Sequence, residues 1–186
     1  FGGHMAQAAQ NICDSWADGS QIDVDTQCRL LTLRALGRSV LGIDLDARSD
    51  AIAGPLQVAL SYCADRALSP VRAPSWLPTP ARHRARRASR ALHRLAMEIL
   101  GECRRDPGHD APLVRALMKA TDPDTGRPLS DAAICDELLV FMLAGHDTTA
   151  TTLAYALWQL GRHRPIQDRL RAEVDALGHP NPTPED

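Results

Sequence analysis

Leu138-Leu139-Val140-Phe141-Met142-Leu143-Ala144-Gly145-His146-Asp147-Thr148-Thr149 is the stretch that decides how this chain folds. It sits in a helical pattern that opens at Ser130, a good N-cap residue. Asp131, Asp136 and Glu137 then place negative charge near the positive end of a helix. Apolar residues resume from Leu153 to Leu160, Gly161 marks the end, and Pro165 is a stop just beyond. The reading is one long central helix over about 130–162, roughly 45 Å at 1.5 Å per residue. A helix apolar on most sides belongs inside a larger body. Its middle nevertheless carries a Gly, a His, an Asp and several Thr.

Those polar residues admit more than one reading. A buried Thr bonded to the carbonyl four residues back needs no function. The polar centre, and apolar runs far shorter than about 18 residues, argue against a transmembrane span. Ala150 stands one turn after His146 where a zinc-binding helix would carry a second His. Gly145 removes a side chain and opens one face to close approach. Thr148, one turn after Ala144, can bond that residue's carbonyl, and the expected product is a local bulge or groove with Asp147 beside it. From the residues alone the stretch fits a functional groove, or a kinked core helix in an all-α binding or interaction domain.

The remainder reads as further helices, with no convincing strand run. Met5, Ala8, Ile12 and Trp16 recur at helical spacing until Gly19, and Leu30 to Leu41 form a second helix closed by Gly42. Ile22 and Val24 make at most a stub of extended chain. A third helix is expected from Pro55 to Leu68, a fourth from Thr79 to Arg105, a short one around Leu113 to Met118, and a last through Ile166, Leu170 and Val174. The fold class is all-α.

At 186 residues and 44 % hydrophobic, the chain can form one domain with a sizeable core. A net charge of −2 argues neither for a nucleic-acid partner nor for an acidic tail, and no nucleic-acid partner is expected. Arg82, Arg84, Arg86, Arg87, Arg90 and Arg94 read as a solvated basic face. Five Cys, an odd number without metal-ligand spacing, fit reduced thiols in a reducing compartment and a cytoplasmic location. Cys135 reads as a small buried hydrophobe.

Ala144-Gly145-His146-Asp147-Thr148-Thr149 in a long buried helix resembles the oxygen-activating helix of the cytochrome P450 family, whose pattern is Ala/Gly-Gly-x-Asp/Glu-Thr-Thr/Ser. Asp136-Glu137-Leu138-Leu139 before it, Leu157-Trp158-Gln159-Leu160 after it, and the run from His163 through Val174 extend the likeness. Thr125-Gly126-Arg127-Pro128-Leu129-Ser130 resembles the family's turn into that helix. Four Pro in twelve residues, Ser69 to Pro80, stiffen a loop anchored at Trp76. By resemblance it is the lid between the family's F and G helices, and Leu77-Pro78-Thr79-Pro80 is similar to the fatty-acid-hydroxylase-like branch.

The resemblance implies a helical array with a haem cofactor held by a Cys thiolate, O₂ as co-substrate, and a haem-dependent monooxygenase activity. None of Cys13, Cys28, Cys63, Cys103 and Cys135 stands in the family's Phe-x-x-Gly-x-Arg-x-Cys loop. Glu102-Cys103-Arg104-Arg105 has the letters of its Glu-x-x-Arg motif but lies on the wrong side of the central helix. The expectation is therefore the central portion of a single catalytic domain, covering the D to J helices over 1–186, truncated at both ends. A truncated, non-catalytic product stays open as the alternative. Asp147 and Thr148 are the implied catalytic residues, the acid as gate and the alcohol as proton donor or water orienter. Ala144, Gly145 and Thr148 would line the cofactor and oxygen groove, and Val140, Leu143 and Ala144 the substrate wall. His146 is implied to occupy a variable position, without a catalytic role. The implied partners are a small hydrophobic organic substrate and an electron donor such as a ferredoxin with its reductase. Membrane contact stays open.

Overall fold

The structure is a computed structural model that describes residues 2–43, 49–69, 74 and 77–178. Among the described residues seven α-helices follow one another: α1 Gly2–Cys13, α2 Val24–Leu36, α3 Ser49–Leu68, α4 Pro80–Arg105, α5 Pro112–Lys119, α6 Asp131–Arg162 and α7 Arg164–Ala176. Among the described residues the only strand-like pairing is an isolated antiparallel bridge between Thr121 and Pro128. The all-α expectation holds.

Side-chain caps set the starts of α2, α4 and α6. Ser130 Oγ accepts the Ala133 N–H at 3.2 Å, and Thr79 Oγ1 accepts that of Arg82 at 3.2 Å. Asp23 caps α2 through the N–H groups of Asp25 and Thr26. That cap is why Val24 opens a helix instead of making the expected extended stub. α3 begins at Ser49, earlier than expected, and runs through Pro55. Proline removes one backbone donor there, but Ile52 and Leu56 on either side are buried and hold the helix in the core.

After Leu36 the chain widens into one π-helical turn, Gly37–Leu41, closed by Gly42 at φ 68°. Glycine is required there for a second reason. A Cβ would run into the Asp110 carbonyl oxygen where the connection from α4 to α5 passes over it.

α6 is the axis of the assembly. It packs on α2 along one side and on α4 along another, while α3 pairs with α4. Leu33 of α2, Leu56 of α3, Ile99 and Leu100 of α4, and Leu138 and Met142 of α6 are all fully buried in one cluster. Each such side chain contributes about 1.5–3 kcal/mol of burial. Polar ties run along the α4–α6 seam: Arg104 pairs with Asp131, and His93 Nε2 lies 3.0 Å from Asp136 Oδ1. α7 contributes no buried residue. No described helix is long and apolar enough to cross a membrane.

Half of the proline-rich loop from Ser69 to Pro80, including Trp76, lies outside the described residues. Its edges are held by Arg82, whose Nη1 donates to the carbonyls of Pro74 at 3.1 Å and Leu77 at 2.8 Å. The basic face of α4 is exposed at Arg84, Arg86, Arg87, Arg90 and Arg94.

Candidate functional site

The central motif lies on an unbroken helix. Thr148 Oγ1 donates to the Ala144 carbonyl at 2.6 Å, and Thr152 Oγ1 repeats this with Thr148 at 2.9 Å. The expected bulge is absent, since α6 is α-helical throughout. A carbonyl oxygen has two lone pairs, so it takes the hydroxyl without giving up its ladder N–H. Gly145 does not admit a close neighbour either. A Cβ there would meet Leu36 Cδ1 at 3.7 Å, an ordinary contact.

Consecutive side chains of the motif point to different surroundings. Val140, Ala144, Thr148 and Thr151 share one exposed face, as their spacing predicts. Leu143 is half-buried and faces away from that strip. It lines a separate cleft of about 350 Å³ with Ala59, Tyr62, Ala85 and Leu92 from α3 and α4. Val140 and Ala144 therefore share a wall with Thr148, and Leu143 belongs to the next one.

Asp147 turns toward α2, where it forms an ion pair with Arg29. Arg29 Nε also donates to Asp25 Oδ2 at 2.8 Å. These two carboxylates, Asp25 first, push the guanidinium above its ordinary value. The Arg29 and Asp147 side chains stay about one-third exposed, 34 % and 36 %, so the acid is held while solvent can still reach it.

His146, the position read as variable, is 5 % exposed and touches Thr32 of α2. Burial, and then the nearby Arg29, hold its imidazole below the ordinary range, while Asp147 acts the other way. Sequence reading missed Arg29 and Thr32. No local signal singles them out, because α2 also carries Asp25, Thr26, Gln27 and Arg34.

Cys28, Cys103 and Cys135 are buried, and desolvation pushes all three thiols up. Cys135 behaves as a small core residue, its thiol 3.3 Å from Met97 Sδ. Among the described residues no group of three or more His, Cys, Asp or Glu could hold a metal ion. The donor set here is acid and alcohol beside a strip of small side chains at 144, 145 and 148. Exposed as it is, that strip leaves room for a flat prosthetic group to lie against α6.

Fold and site together define an all-α protein built on a central helix with an acid–alcohol pair at mid-length. The cytochrome P450 family model matches residues 5–185, and the chain belongs to that family. It is 32 % identical over 174 residues to cyclooctat-9-en-7-ol 5-monooxygenase of Streptomyces melanosporofaciens, covering 93 % of this chain and 38 % of that protein. A bifunctional cytochrome P450/NADPH–P450 reductase of Alternaria alternata is 28 % identical over 182 residues, 92 % of this chain and 16 % of its own. The crystal structure of the cytochrome P450DA heme domain superposes with a TM-score of 0.74 at 28 % identity, covering 94 % of this chain and 38 % of that one. The chain thus spans less than half the length of the relatives it matches.

Proposed function

We propose that the protein carrying this chain is a haem-dependent monooxygenase that inserts one atom of O₂ into a small hydrophobic organic substrate. This chain supplies the oxygen-side wall. The observation that carries the reading is the juxtaposition on α6 of Asp147, anchored to α2, and Thr148, on the open strip beside Ala144. Haem, when bound, supplies the iron chemistry that activates dioxygen. Ala144, Gly145 and Thr148 would lie against it, with Val140 extending the wall toward substrate and Leu143 lining the cleft behind.

The chain's own task is proton management. Asp147 Oδ, solvent-accessible and paired with Arg29, takes a proton from water and passes it inward when it swings away from the guanidinium. Thr148 Oγ1 directs its own proton at Ala144 O, which leaves its lone pairs facing the open strip. It therefore orients a water by accepting from it, and donates only after its hydroxyl rotates. Electrons come from a reductase, as the fused reductase of one relative supports; a separate ferredoxin with its reductase is our finer assignment.

The test is Thr148→Ala in the haem-loaded full-length protein, reading product and hydrogen peroxide formed per electron donor consumed. Haem and O₂ binding should persist, because Ala is well tolerated in a helix. Product should fall and peroxide rise. Unchanged coupling would remove Thr148 from the proton path.

A further inference from the structure

A single hydroxyl joins α2 to the centre of α6. Thr32 Oγ1 lies 3.0 Å from the Cys28 carbonyl oxygen and 3.2 Å from that of Arg29. It also lies 3.2 Å from the His146 carbonyl oxygen and 3.1 Å from His146 Nδ1. A hydroxyl has one proton and two lone pairs. Three of these four neighbours are carbonyl oxygens, which only accept, and Nδ1 is the one neighbour that can also donate. With Nδ1 donating, the Thr32 proton is free to serve a carbonyl and no proton is lacking at the contact. A bare Nδ1 would face an oxygen lone pair at a site where Thr32 is 7 % and His146 5 % exposed, an arrangement burial penalises. The arrangement that leaves no lone pairs opposed is the neutral Nδ1–H tautomer.

This contact and the acid's ion pair form a two-point anchor. Thr32 stands one helical turn after Arg29 on α2, and His146 directly precedes Asp147 on α6. Successive residues of a helix are about 100° apart around its axis. A rotation of α6 that frees His146 from Thr32 therefore also displaces Asp147 relative to Arg29 and shifts Thr148 on the open strip.

We propose that Thr32 and His146 are positioning residues of the oxygen-activating site: the donation from His146 Nδ1–H to Thr32 fixes the rotational setting of α6 on α2 and so the places of Asp147 and Thr148. The inference rests on the roles given above to that acid and alcohol.

The experiment uses the haem-loaded full-length protein with Thr32→Val, which keeps the shape and removes the hydroxyl, and Thr32→Ser, which keeps the hydroxyl. Nitrogen-15 NMR of the His146 ring reads its tautomer without turnover. Product and peroxide per electron donor read the consequence. Wild type and Thr32→Ser should both show the Nδ1–H form and the same product yield. Thr32→Val should lose the tautomer preference and drop the product yield about 3–10-fold, the worth of one hydrogen bond, with peroxide taking up the difference. Where Thr32→Val fails to hold haem, His146→Asn against His146→Leu makes the same comparison. The Asn amide can donate from the Nδ1 position and should keep the yield, whereas Leu should lose it. An Nε2–H ring in the wild type, or a wild-type yield in Thr32→Val or His146→Leu, overturns the inference. If Asp147→Asn and Thr148→Ala change the yield while those variants do not, only this inference falls. If neither pair changes it, the reading of the site falls as well and takes this inference with it.

Discussion

The two halves of α6 have similar apolar content and opposite surroundings. From Ile134 to Ala150 seven residues are buried against α2 and α4. From Thr151 onward, and through all of α7, none is. Tyr155, Leu157, Trp158, Ile166, Leu170 and Val174 stand in solvent at 39–60 % exposure. Hydrophobicity alone therefore does not decide burial; a facing helix does. The acid–alcohol pair sits at the changeover, with Asp147 on the anchored side and Thr148 on the open one. The relay proposed above needs an acid that reaches solvent while keeping a fixed position, and the edge of a packed region offers both.

The largest expected effect separates the halves by packing. Leu138→Ala empties a fully buried site and should lower the protection of α6 against amide hydrogen exchange by about 2–5 kcal/mol. Leu157→Ala in the same chain should stay within about 0.5 kcal/mol. Equal losses would mean that the open half is packed after all, and the contrast would vanish.

The next effect tests the changeover itself. Asp147→Asn keeps the shape and removes the ionisable group, so turnover should slow by about 100-fold, the low end of what a positioned acid contributes. Peroxide leakage should be smaller than in Thr148→Ala, since a closed gate withholds protons and a missing alcohol misdirects them. The double variant should be no slower than the worse single one if both serve one path. Additive losses, measured as product and peroxide per electron donor, would split the pair into independent residues.

These contrasts also show which features a sequence exposes. Ser130 as a cap, Thr79 as a helix start, Gly42 as a stop, and the Thr148 bond to Ala144 all depend on residues within four or five positions, and all were legible. So was the sharing of one face by Val140, Ala144 and Thr148, which follows from helical geometry; that this face is exposed was not. The ties that hold the motif were not. Arg29 reaches Asp147 across 118 residues and Thr32 reaches His146 across 114, pairings fixed only by how α2 lies on α6. Proline in α3 and the π turn after Leu36 were hidden for the same reason: tertiary burial there overrides local preference.

The smallest expected effect is a pH dependence that belongs to the anchored side alone. His146 is buried as a neutral ring, held below its ordinary value of about 6.5 by burial and by Arg29, against the opposing pull of Asp147. Asp25 offsets part of the Arg29 charge by pairing with it. In the unfolded chain the ring regains that ordinary value. As pH falls through about 6.5 the unfolded state takes up a proton that the folded state refuses, so stability rises with pH in this window and is lost on acidification. The slope can reach at most ~1.4 kcal/mol per pH unit for one proton, and it flattens once the folded ring also protonates. His146→Gln abolishes the titration, and subtracting its urea-unfolding midpoints from those of the wild type at pH 7, 6 and 5 removes the six other histidines from the comparison. The wild type should lose more of its midpoint than the variant between pH 7 and pH 5. Parallel losses would mean that His146 accepts its proton in the folded chain as readily as in water, which a ring packed between α2 and α6 does not allow.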